Sequence, residues 1–592
     1  MLISRRIVLA LTLAIAMTQL AAAQVLEQVP DGALVVAKVR NLAETNTKLA
    51  AFFKDLGVDQ LSPELADPLA AIKKHLNISQ GLDEKGEIAF IYVDPSVSSV
   101  DDDHSMMILV PVTDYKAFTG NFPEAKTEGD FTETKFGHDP DPSYITPWGK
   151  FAAISPSKEL LGKKPAGGVK LTGLTAKEIA NKDAIFYVNM AAVRKMALPK
   201  LKDQRENLIG EATRSFTGDK EKYVPLVKAM VNQVLNIAEG YLNDANSATY
   251  GISFGANGIN GTLMSEFEPG TYSGDLVTRV KNGDGSMLTG LPNTKYIAYG
   301  GAVATPEVSA KIIDDFTGPI MKEVSALGDE GKAITQYIDS FKKMSTAIKG
   351  GSFGMLIPSG MLGQDSIFQV VETINGDSKA IGDAQKSLMD NQQELMKILQ
   401  PNGELQQKVT FTPAVKTVDG VQLDQMTTEF TGDATTPQAQ QMQQMMTMMY
   451  GPGGMKMLTG SIDNDSRIIT IATSDDTTQQ LITAAKTKDA ALGKTDGVTA
   501  VTAELPSSKF AVMYFAVDNL ITTGLKYAGA MGMNLPINLP PNQPPVGVSM
   551  GTEGTAVRVD TFVPTQLVKS ITAAVIQFQM QMQGGGQGGG GM

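Results

Sequence analysis

The sequence predicts an α+β protein made of two duplicated halves, each an antiparallel sheet of hairpins with helices packed on one face. Three observations predict it. Short apolar strands recur after polar turns, a glycine-serine hairpin motif occurs twice, and segments of helical periodicity separate these elements. Hairpins with intervening helices favour antiparallel layers over a doubly wound parallel sheet.

The recurring strand follows a turn in four places. The predicted strands are 33–37, 184–188, 295–299 and 509–514. Pro30, Pro292 and Pro506 precede three of them, and proline suits that position because it has no N–H to donate to a sheet. β-branched and aromatic residues dominate the strands, as a pleated and largely buried surface prefers.

The repeated hairpin is the main evidence for a duplication. Residues 251–258 (GISFGANG) and 547–554 (GVSMGTEG) share four identities in eight positions, and an outgoing strand, a proline and a helical pattern follow each copy. Asn257-Gly258 is a strong tight-turn signal. Looser hairpins are predicted at 87–93 with 106–112, at 353–357 with 366–373, and at 460–462 with 468–472.

The order of these elements predicts the domain boundaries. The first α+β half is predicted at 24–283 and the second, its homologous repeat, at 291–580. A glycine-rich and disordered tail is predicted at 584–592. Periodicity also predicts helices at 223–242 and 377–399, the second of them mostly exposed to solvent.

Residues 1–23 have the pattern of a cleaved signal peptide. Arg5 and Arg6 form a basic start, residues 7–20 are largely apolar, and alanines up to Ala23 offer a cleavage site. The apolar run is short for a membrane span, which makes an uncleaved anchor the alternative. Cleavage near Ala23 predicts an exported chain of net charge −14, located in the periplasm or at the cell surface, with no membrane span.

Composition excludes several classes of function. The 592 residues contain no cysteine, which excludes disulfide scaffolds, zinc-thiolate sites and cysteine nucleophiles. The 63 acidic residues outnumber the 51 lysines and arginines, and this balance argues against a nucleic-acid partner. This leaves an unknown ligand or an unknown protein as the expected partner.

The two glycine-serine motifs fit the nucleophile-elbow pattern, with Ser253 and Ser549 at the nucleophile position. That pattern requires a strand–turn–helix context and a histidine after the serine. The histidines are His75, His104 and His138, all before both serines. A small serine between glycines at a close-packed strand position is therefore the favoured interpretation.

The segment 155–158 has the Ser-x-x-Lys spacing of penicillin-binding enzymes. The other elements of that family are absent from the sequence. A helix start capped by Ser155, with Pro156 in the first turn, is the favoured interpretation.

Three acidic segments could hold a hard cation: 101–104, Asp139 with Asp141, and 463–465. None has the ligand spacing of a calcium loop, and acidic hairpin tips are usually solvated. We therefore assign no metal ligands, no cofactor-binding residues and no catalytic residues.

Methionine is unusually frequent, with 30 residues. Four of them, at 442, 445, 446 and 449, fall on one face of a predicted helix. Thioethers can bind Cu(I), and a flexible apolar face can equally pack on a core or partner. Within 442–457 the sequence favours packing and leaves a metal-binding protein as an alternative.

Three segments, 29–36 (VPDGALVV), 110–118 (VPVTDYKAF) and 149–155 (GKFAAIS), resemble a group of large exported proteins of unknown function from planctomycete-type bacteria. The resemblance covers residues up to about 165. It implies export and a repeated α+β architecture, and it implies no activity, cofactor or site residue.

The sequence therefore predicts an exported, non-enzymatic binding or structural protein whose halves offer a cleft or a broad surface. The alternative is a carboxylate-dependent hydrolase of an unrecognised type. Converging, desolvated acidic or lysine side chains in a pocket would favour the enzyme, and an apolar groove would favour binding.

Overall fold

A computed structural model describes most of the chain. The described residues are 25–30, 32–95, 104–135, 141–165, 168–169, 171–283, 286–357, 366, 369–399, 405–432, 437–450, 454–530, 532–533, 535 and 537–584. Contacts divide the chain into two compact units. Unit 1 comprises the described residues of Met1–Lys202, Glu239–Asp275 and Thr555–Asp560, and unit 2 those of Asp203–Ala238, Leu276–Gly554 and Thr561–Met592.

The described residues contain strands, many of them paired in hairpins, with helices between groups of strands. In chain order the strands are β1 Ala33–Val39, β2 Ile88–Val93, β3 Met106–Pro111, β4 Lys126–Glu128, β5 Phe131–Thr134, β6 Ser143–Trp148, β7 Phe151–Ser155, β8 Ala184–Asn189, β9 Ala245–Phe254, β10 Gly258–Phe267, β11 Tyr296–Val303, β12 Ile348–Leu356, β13 Gln369–Gly376, β14 Leu405–Val418, β15 Val421–Gly432, β16 Met455–Ser461, β17 Ser466–Ile471, β18 Ala511–Phe515, β19 Val546–Glu553 and β20 Ala556–Pro564.

Helices separate many of these strands. They are α1 Leu42–Leu56, α2 Pro68–His75, α3 Tyr115–Thr119, α4 Lys158–Leu161, α5 Gly173–Asn181, α6 Met190–Thr213, α7 Val224–Asp244, α8 Tyr272–Arg279, α9 Pro306–Thr317, α10 Met321–Ser325, α11 Asp329–Ala347, α12 Ser378–Leu399, α13 Pro437–Tyr450, α14 Asp475–Thr487, α15 Asp496–Glu504, α16 Val517–Ala530 and α17 Thr565–Gly584. Among the described residues, no helix combines the length and the apolar character needed to cross a membrane.

The strands β1 to β10 form an antiparallel sheet in the order β10-β9-β8-β1-β2-β3-β7-β6-β5-β4. The strands β11 to β20 follow the order β20-β19-β18-β11-β12-β13-β17-β16-β15-β14, antiparallel from β19 to β14. If ten is subtracted from each number in the second series, the two orders are the same.

Both faces of each sheet are packed, since successive side chains of a strand point to opposite faces. In unit 2, Ile468 joins a large core with residues of α14 and α15, such as Leu481 and Val498. Its neighbour Ile469 joins a smaller cluster on the other face, against Met389 of α12. In unit 1, Leu109 joins a large core that includes α4, and the other face carries a cluster around Phe118 of α3.

The predicted α+β class with antiparallel sheets is confirmed. Helices cover both faces of the unit 2 sheet, rather than the single face that we predicted. The predicted helix at 377–399 exists as α12, but its exposure was predicted wrongly, because Ile381 and Ala384 are buried.

Candidate functional site

A cleft lies in unit 2 between α12 and the sheet face formed by β14 to β17. Its volume is about 220 Å³. Its polar lining is Lys379, Asp383, Gln385, Lys386, Asp424, Thr459, Ser461 and Arg467, and its other lining residues are Gly382, Met389, Phe411, Met426 and Met457. The cleft therefore combines a mostly polar and charged lining with an apolar wall of three methionines and one phenylalanine.

Local sequence explains why α12 lies over the sheet. The Asp377 carboxylate accepts the backbone N–H of Ala380 at 2.9 Å and caps the helix start. Ile381, 1 % exposed, points into the packed face one turn later. Ser387 of α12 and Ser340 of α11 share a hydrogen bond of 2.8 Å, which ties the two helices together.

Arg467 on β17 is the central group of the cleft. The residue is only 7 % exposed. Its Nε–H donates to Thr459 Oγ1 at 2.9 Å, and its Nη1 donates to Ser461 Oγ at 3.1 Å and to the Ser378 carbonyl at 3.3 Å. Its Nη2 donates to no described residue, so this nitrogen keeps two N–H groups for a ligand.

Gly382 gives the guanidinium its space. A Cβ built at this position would lie 2.6 Å from Arg467 Nη1 and 2.8 Å from Cζ. Glycine in a helix interior costs roughly 1 kcal/mol relative to alanine. The chain therefore accepts a weaker helix at the one point where α12 passes over the guanidinium.

The electrostatic environment of Arg467 is mixed. Burial lowers the pKa of its guanidinium, and the nearby carboxylates of Asp424 and Asp383 oppose that shift. Arginine remains a cation at physiological pH even so. No carboxylate of the described residues lies within ion-pair distance of the Arg467 guanidinium. Asp383 instead pairs with Lys379 at 2.6 Å, and Asp424 accepts the Ala414 N–H at 2.9 Å.

The far end of the cleft is mainly apolar, with the Lys386 ammonium 5.6 Å from the centroid of the Phe411 ring. Met426 and Met457 face each other across β15 and β16, and both are buried. Met389 packs on them from α12, and Phe411 continues the surface on β14. Thioether side chains are flexible and adapt to apolar ligands of varied shape.

The serines of the nucleophile-elbow pattern lie elsewhere, on strands that lead into hairpins. Ser253 is on β9 and Ser549 on β19, and neither strand turns into a helix. Ser549 Oγ is buried without a hydrogen-bond partner among the described residues. The flanking glycines permit close packing, because a Cβ at Gly251 would lie 2.5 Å from Lys182 and one at Gly547 2.4 Å from Val501.

The Ser-x-x-Lys segment forms a helix start, with the cap displaced from the predicted residue. Ser157 accepts the Leu160 N–H at 3.1 Å, so Ser157 rather than Ser155 caps α4. Ser155 Oγ donates to the Met106 carbonyl at 2.8 Å and accepts the Ser157 N–H. Both serines are thus used in local structure.

The metal hypotheses rest on residues only partly described. Residues 101–103 and Asp139 lie outside the described residues, and the described residues hold no group of three His, Asp or Glu suited to a metal ion. The segment 463–465 is a turn in which Asp463 accepts Ser466 Oγ–H at 2.8 Å, and this bond lowers the pKa of Asp463.

The predicted methionine helix exists as α13. Met445 is exposed and Met449 half-buried, while the side chains of Met442 and Met446 lie outside the described residues. Met457, in the same segment, packs in the cleft wall on β16. Packing of α13 stays a prediction, with metal binding as its alternative.

Two other features of unit 1 are weaker candidates. Lys38 and Glu87 form a buried ion pair at 2.7 Å, and both are more than nine-tenths buried, so a substrate does not reach them. An apolar row crosses five strands through Leu263, Tyr250, Phe186, Ala37 and Phe90. Four of its members are 40–50 % exposed, but the row has no charged group to orient a ligand.

No protein-family model and no curated protein matches the chain. Among solved structures, crystal form I of TP0453 is 10 % identical, with 41 % of this chain and 79 % of that chain covered and a TM-score of 0.21. Crystal form III is 7 % identical, with 50 % and 99 % covered and a TM-score of 0.17. At such TM-scores the similarity supports no argument about fold or function.

Proposed function

We propose that the protein is an exported, non-enzymatic binding protein of the periplasm or cell surface, and that the unit 2 cleft holds a small anionic ligand. Arg467 carries the proposal. A guanidinium that is 7 % exposed, fixed by three hydrogen bonds and left with a free Nη2 is preorganised to receive an anion.

The surrounding residues support a role in binding rather than in hydrolysis. Asp383 is exposed and paired with Lys379, and Asp424 is held by a backbone N–H. Neither carboxylate is desolvated in the way that a general acid requires. The Met-rich wall offers apolar contact and no reacting group, which favours binding over the hydrolase alternative.

Export and duplication form part of the same proposal. The pattern of residues 1–23 and the resemblance to exported proteins of unknown function support export. The shared strand order and the shared hairpin motif support a tandem duplication of one α+β unit. In this view only the second copy acquired the cleft.

The test compares small molecules that co-purify with wild type and with Arg467→Met from the native envelope fraction. A charged hydrogen bond contributes about 1.5–3 kcal/mol, so the variant should retain roughly 10 to 100 times less of the specific ligand. Arg467→Lys should restore part of the binding because it keeps the charge.

Arg194→Met is the matched control. Arg194 also donates to backbone carbonyls, those of Leu242 and Ala245, but it lies in unit 1. It should retain the ligand as wild type does. The proposal fails if Arg467→Met folds, as judged by circular dichroism, and still carries the same small molecules in the same ratio.

A further inference from the structure

The cleft has a direction, because Arg467 and the methionines occupy opposite ends. Of the polar lining residues, Lys386 lies near the methionine end, with its ammonium 5.6 Å from the Phe411 ring centroid. Along β16 the side chains of Ser461, Thr459 and Met457 share one face at steps of two residues, about 7 Å each. Ser461 lies opposite Arg467, and Met457 lies next to Met426. The lining thus passes from a guanidinium to thioethers over roughly 14 Å.

Helix α12 repeats this order above the sheet. Ser378 and Gly382 lie at the arginine end, where the Ser378 carbonyl accepts a hydrogen bond from Arg467 and Gly382 leaves space. Gln385 lies beside Thr459 at 3.4 Å, and Met389 reaches the methionine cluster. The two walls of the cleft therefore change from polar to apolar together.

The charges favour a ligand with one negative charge. Lys379 and Lys386 are paired with Asp383 and Asp390, at 2.6 and 2.9 Å. The free Nη2 of Arg467 is thus the main unpaired positive group, and the carboxylate of Asp424 stands in the same cleft. A second negative charge on a ligand would meet Asp424 rather than another cation.

We infer that the cleft takes a medium-chain carboxylate, with its head on Arg467 and its unbranched apolar tail along Met389, Met426 and Met457. This inference rests on the proposed function and adds the ligand class to it. The flexible thioethers suit a tail with many conformers, and Phe411 closes the apolar end on the side of β14.

Isothermal titration calorimetry of the delipidated full chain with butanoate, hexanoate, octanoate and octyl phosphate tests the inference. Burial of each methylene contributes about 0.8 kcal/mol, so affinity should rise roughly fourfold per methylene from butanoate to octanoate. Octyl phosphate, a dianion at pH 8, should bind more weakly than octanoate.

Met389→Gln should weaken octanoate about tenfold and leave butanoate unchanged, because only the tail contacts this side chain. Met321→Gln is the matched control, since Met321 packs in a different cluster of unit 2. It should leave both affinities unchanged.

The outcomes separate the two proposals. Equal affinity for butanoate and octanoate, or tighter binding of octyl phosphate, overturns the carboxylate inference and leaves Arg467 as a general anion site. Absence of binding for all four probes, or equal binding by Arg467→Met, overturns the proposed function as well.

Discussion

The helices that follow the third strand of each sheet begin alike and cover different interiors. In unit 1 the sequence is Asp114-Tyr115-Lys116-Ala117-Phe118, and in unit 2 it is Asp377-Ser378-Lys379-Ala380-Ile381. Each aspartate caps its helix through the N–H three residues later, at 2.8 and 2.9 Å. Each fifth residue is buried, Phe118 at 0 % and Ile381 at 1 % exposed.

The strands beneath these helices differ at corresponding positions. In unit 1, Ala152 pairs with Val110 and Pro147, and in unit 2 Arg467 pairs with Ile374 and Ser461. The residues of the two helix starts that lie near these strand positions differ as well. Tyr115 packs against the cluster that contains Ala152 in unit 1, whereas in unit 2 the Ser378 carbonyl accepts a hydrogen bond from Arg467.

The difference shows how a closed interface becomes a cleft within one framework. In unit 1 the short α3 ends at Thr119, and the rings of Phe118 and Phe122 fill the interior with centroids 5.8 Å apart. In unit 2 the helix continues to Leu399 and carries Gly382 over the guanidinium. Apolar side chains fill the interior beneath α3 in unit 1. The interior beneath α12 in unit 2 contains a buried cation that still lines the cleft.

The largest effect on the free energy of unfolding should come from the closed interface between α3 and the sheet of unit 1. Phe118→Ala should lower the free energy of unfolding by about 3–5 kcal/mol, because a fully buried ring and its edge contact with Phe122 are lost. Ile381→Ala at the corresponding position should cost less, about 2–3 kcal/mol. Urea unfolding monitored by circular dichroism measures both.

Phe186→Ala is the control for this pair, since Phe186 is 48 % exposed and should change stability little. If Ile381→Ala costs as much as Phe118→Ala, the two interfaces are equally tight, and the contrast between a closed and an open interior is wrong.

Much of the framework is predictable from sequence, because it depends on local signals. Proline-containing turns mark β11 and β18, and Asn257-Gly258 marks the hairpin of β9 and β10. The strands β4 to β6 were missed, and β4 has three exposed residues and no apolar alternation. The long hairpin of β14 and β15 was missed for a related reason, its many glutamines and threonines.

The site was not predictable from local patterns. The helix at 377–399 was predicted to be mostly exposed. Gly382 and Gln385 interrupt the apolar pattern of α12, and both line the cleft. Arg467 has no motif around it. Two signals could have found it: an arginine immediately before Ile468-Ile469-Thr470-Ile471, and the Asp-x-Lys-Ala start that both units share.

The second effect tests whether the glycine keeps the cleft open. Gly382→Ala improves helix propensity, yet its Cβ would lie 2.6 Å from Arg467 Nη1 and displace a group with three hydrogen bonds. We expect a net loss of about 1–3 kcal/mol in stability and weaker ligand binding. Urea unfolding and titration calorimetry measure the two effects.

Gly524→Ala in α16 is the matched control, because nothing lies within 4 Å of a Cβ there. It should stabilise the protein by up to roughly 1 kcal/mol. An equal gain from Gly382→Ala would show that Arg467 does not need this space.

A smaller effect compares the hydroxyls of the two helix starts. The Tyr115 O–H donates to the Ile145 carbonyl at 3.2 Å, and the Ser378 O–H donates to Ser461 Oγ at 2.8 Å. Tyr115→Phe and Ser378→Ala should each cost about 0.5–1.5 kcal/mol in urea unfolding. Only Ser378→Ala should also weaken ligand binding, because Ser378 holds Ser461, which accepts a hydrogen bond from Arg467. An equal loss of ligand binding in Tyr115→Phe would contradict the assignment of the site to unit 2.

The smallest effect concerns pH and a carboxyl in place of an isoleucine. Ile108 lies between Phe90 and Ile154 in unit 1, and Glu372 lies between Phe353 and Ile469 in unit 2.

Burial raises the pKa of Glu372, so the folded state holds this proton more tightly than the unfolded state. The contribution of Glu372 to stability is therefore complete below its ordinary pKa and is lost as pH rises through the raised value. Glu372→Gln should remove that decline, so its stability relative to wild type should increase from pH 4 to pH 8 in urea unfolding. A relative stability that stays constant with pH would mean that Glu372 ionises in the folded protein as it does in the unfolded chain.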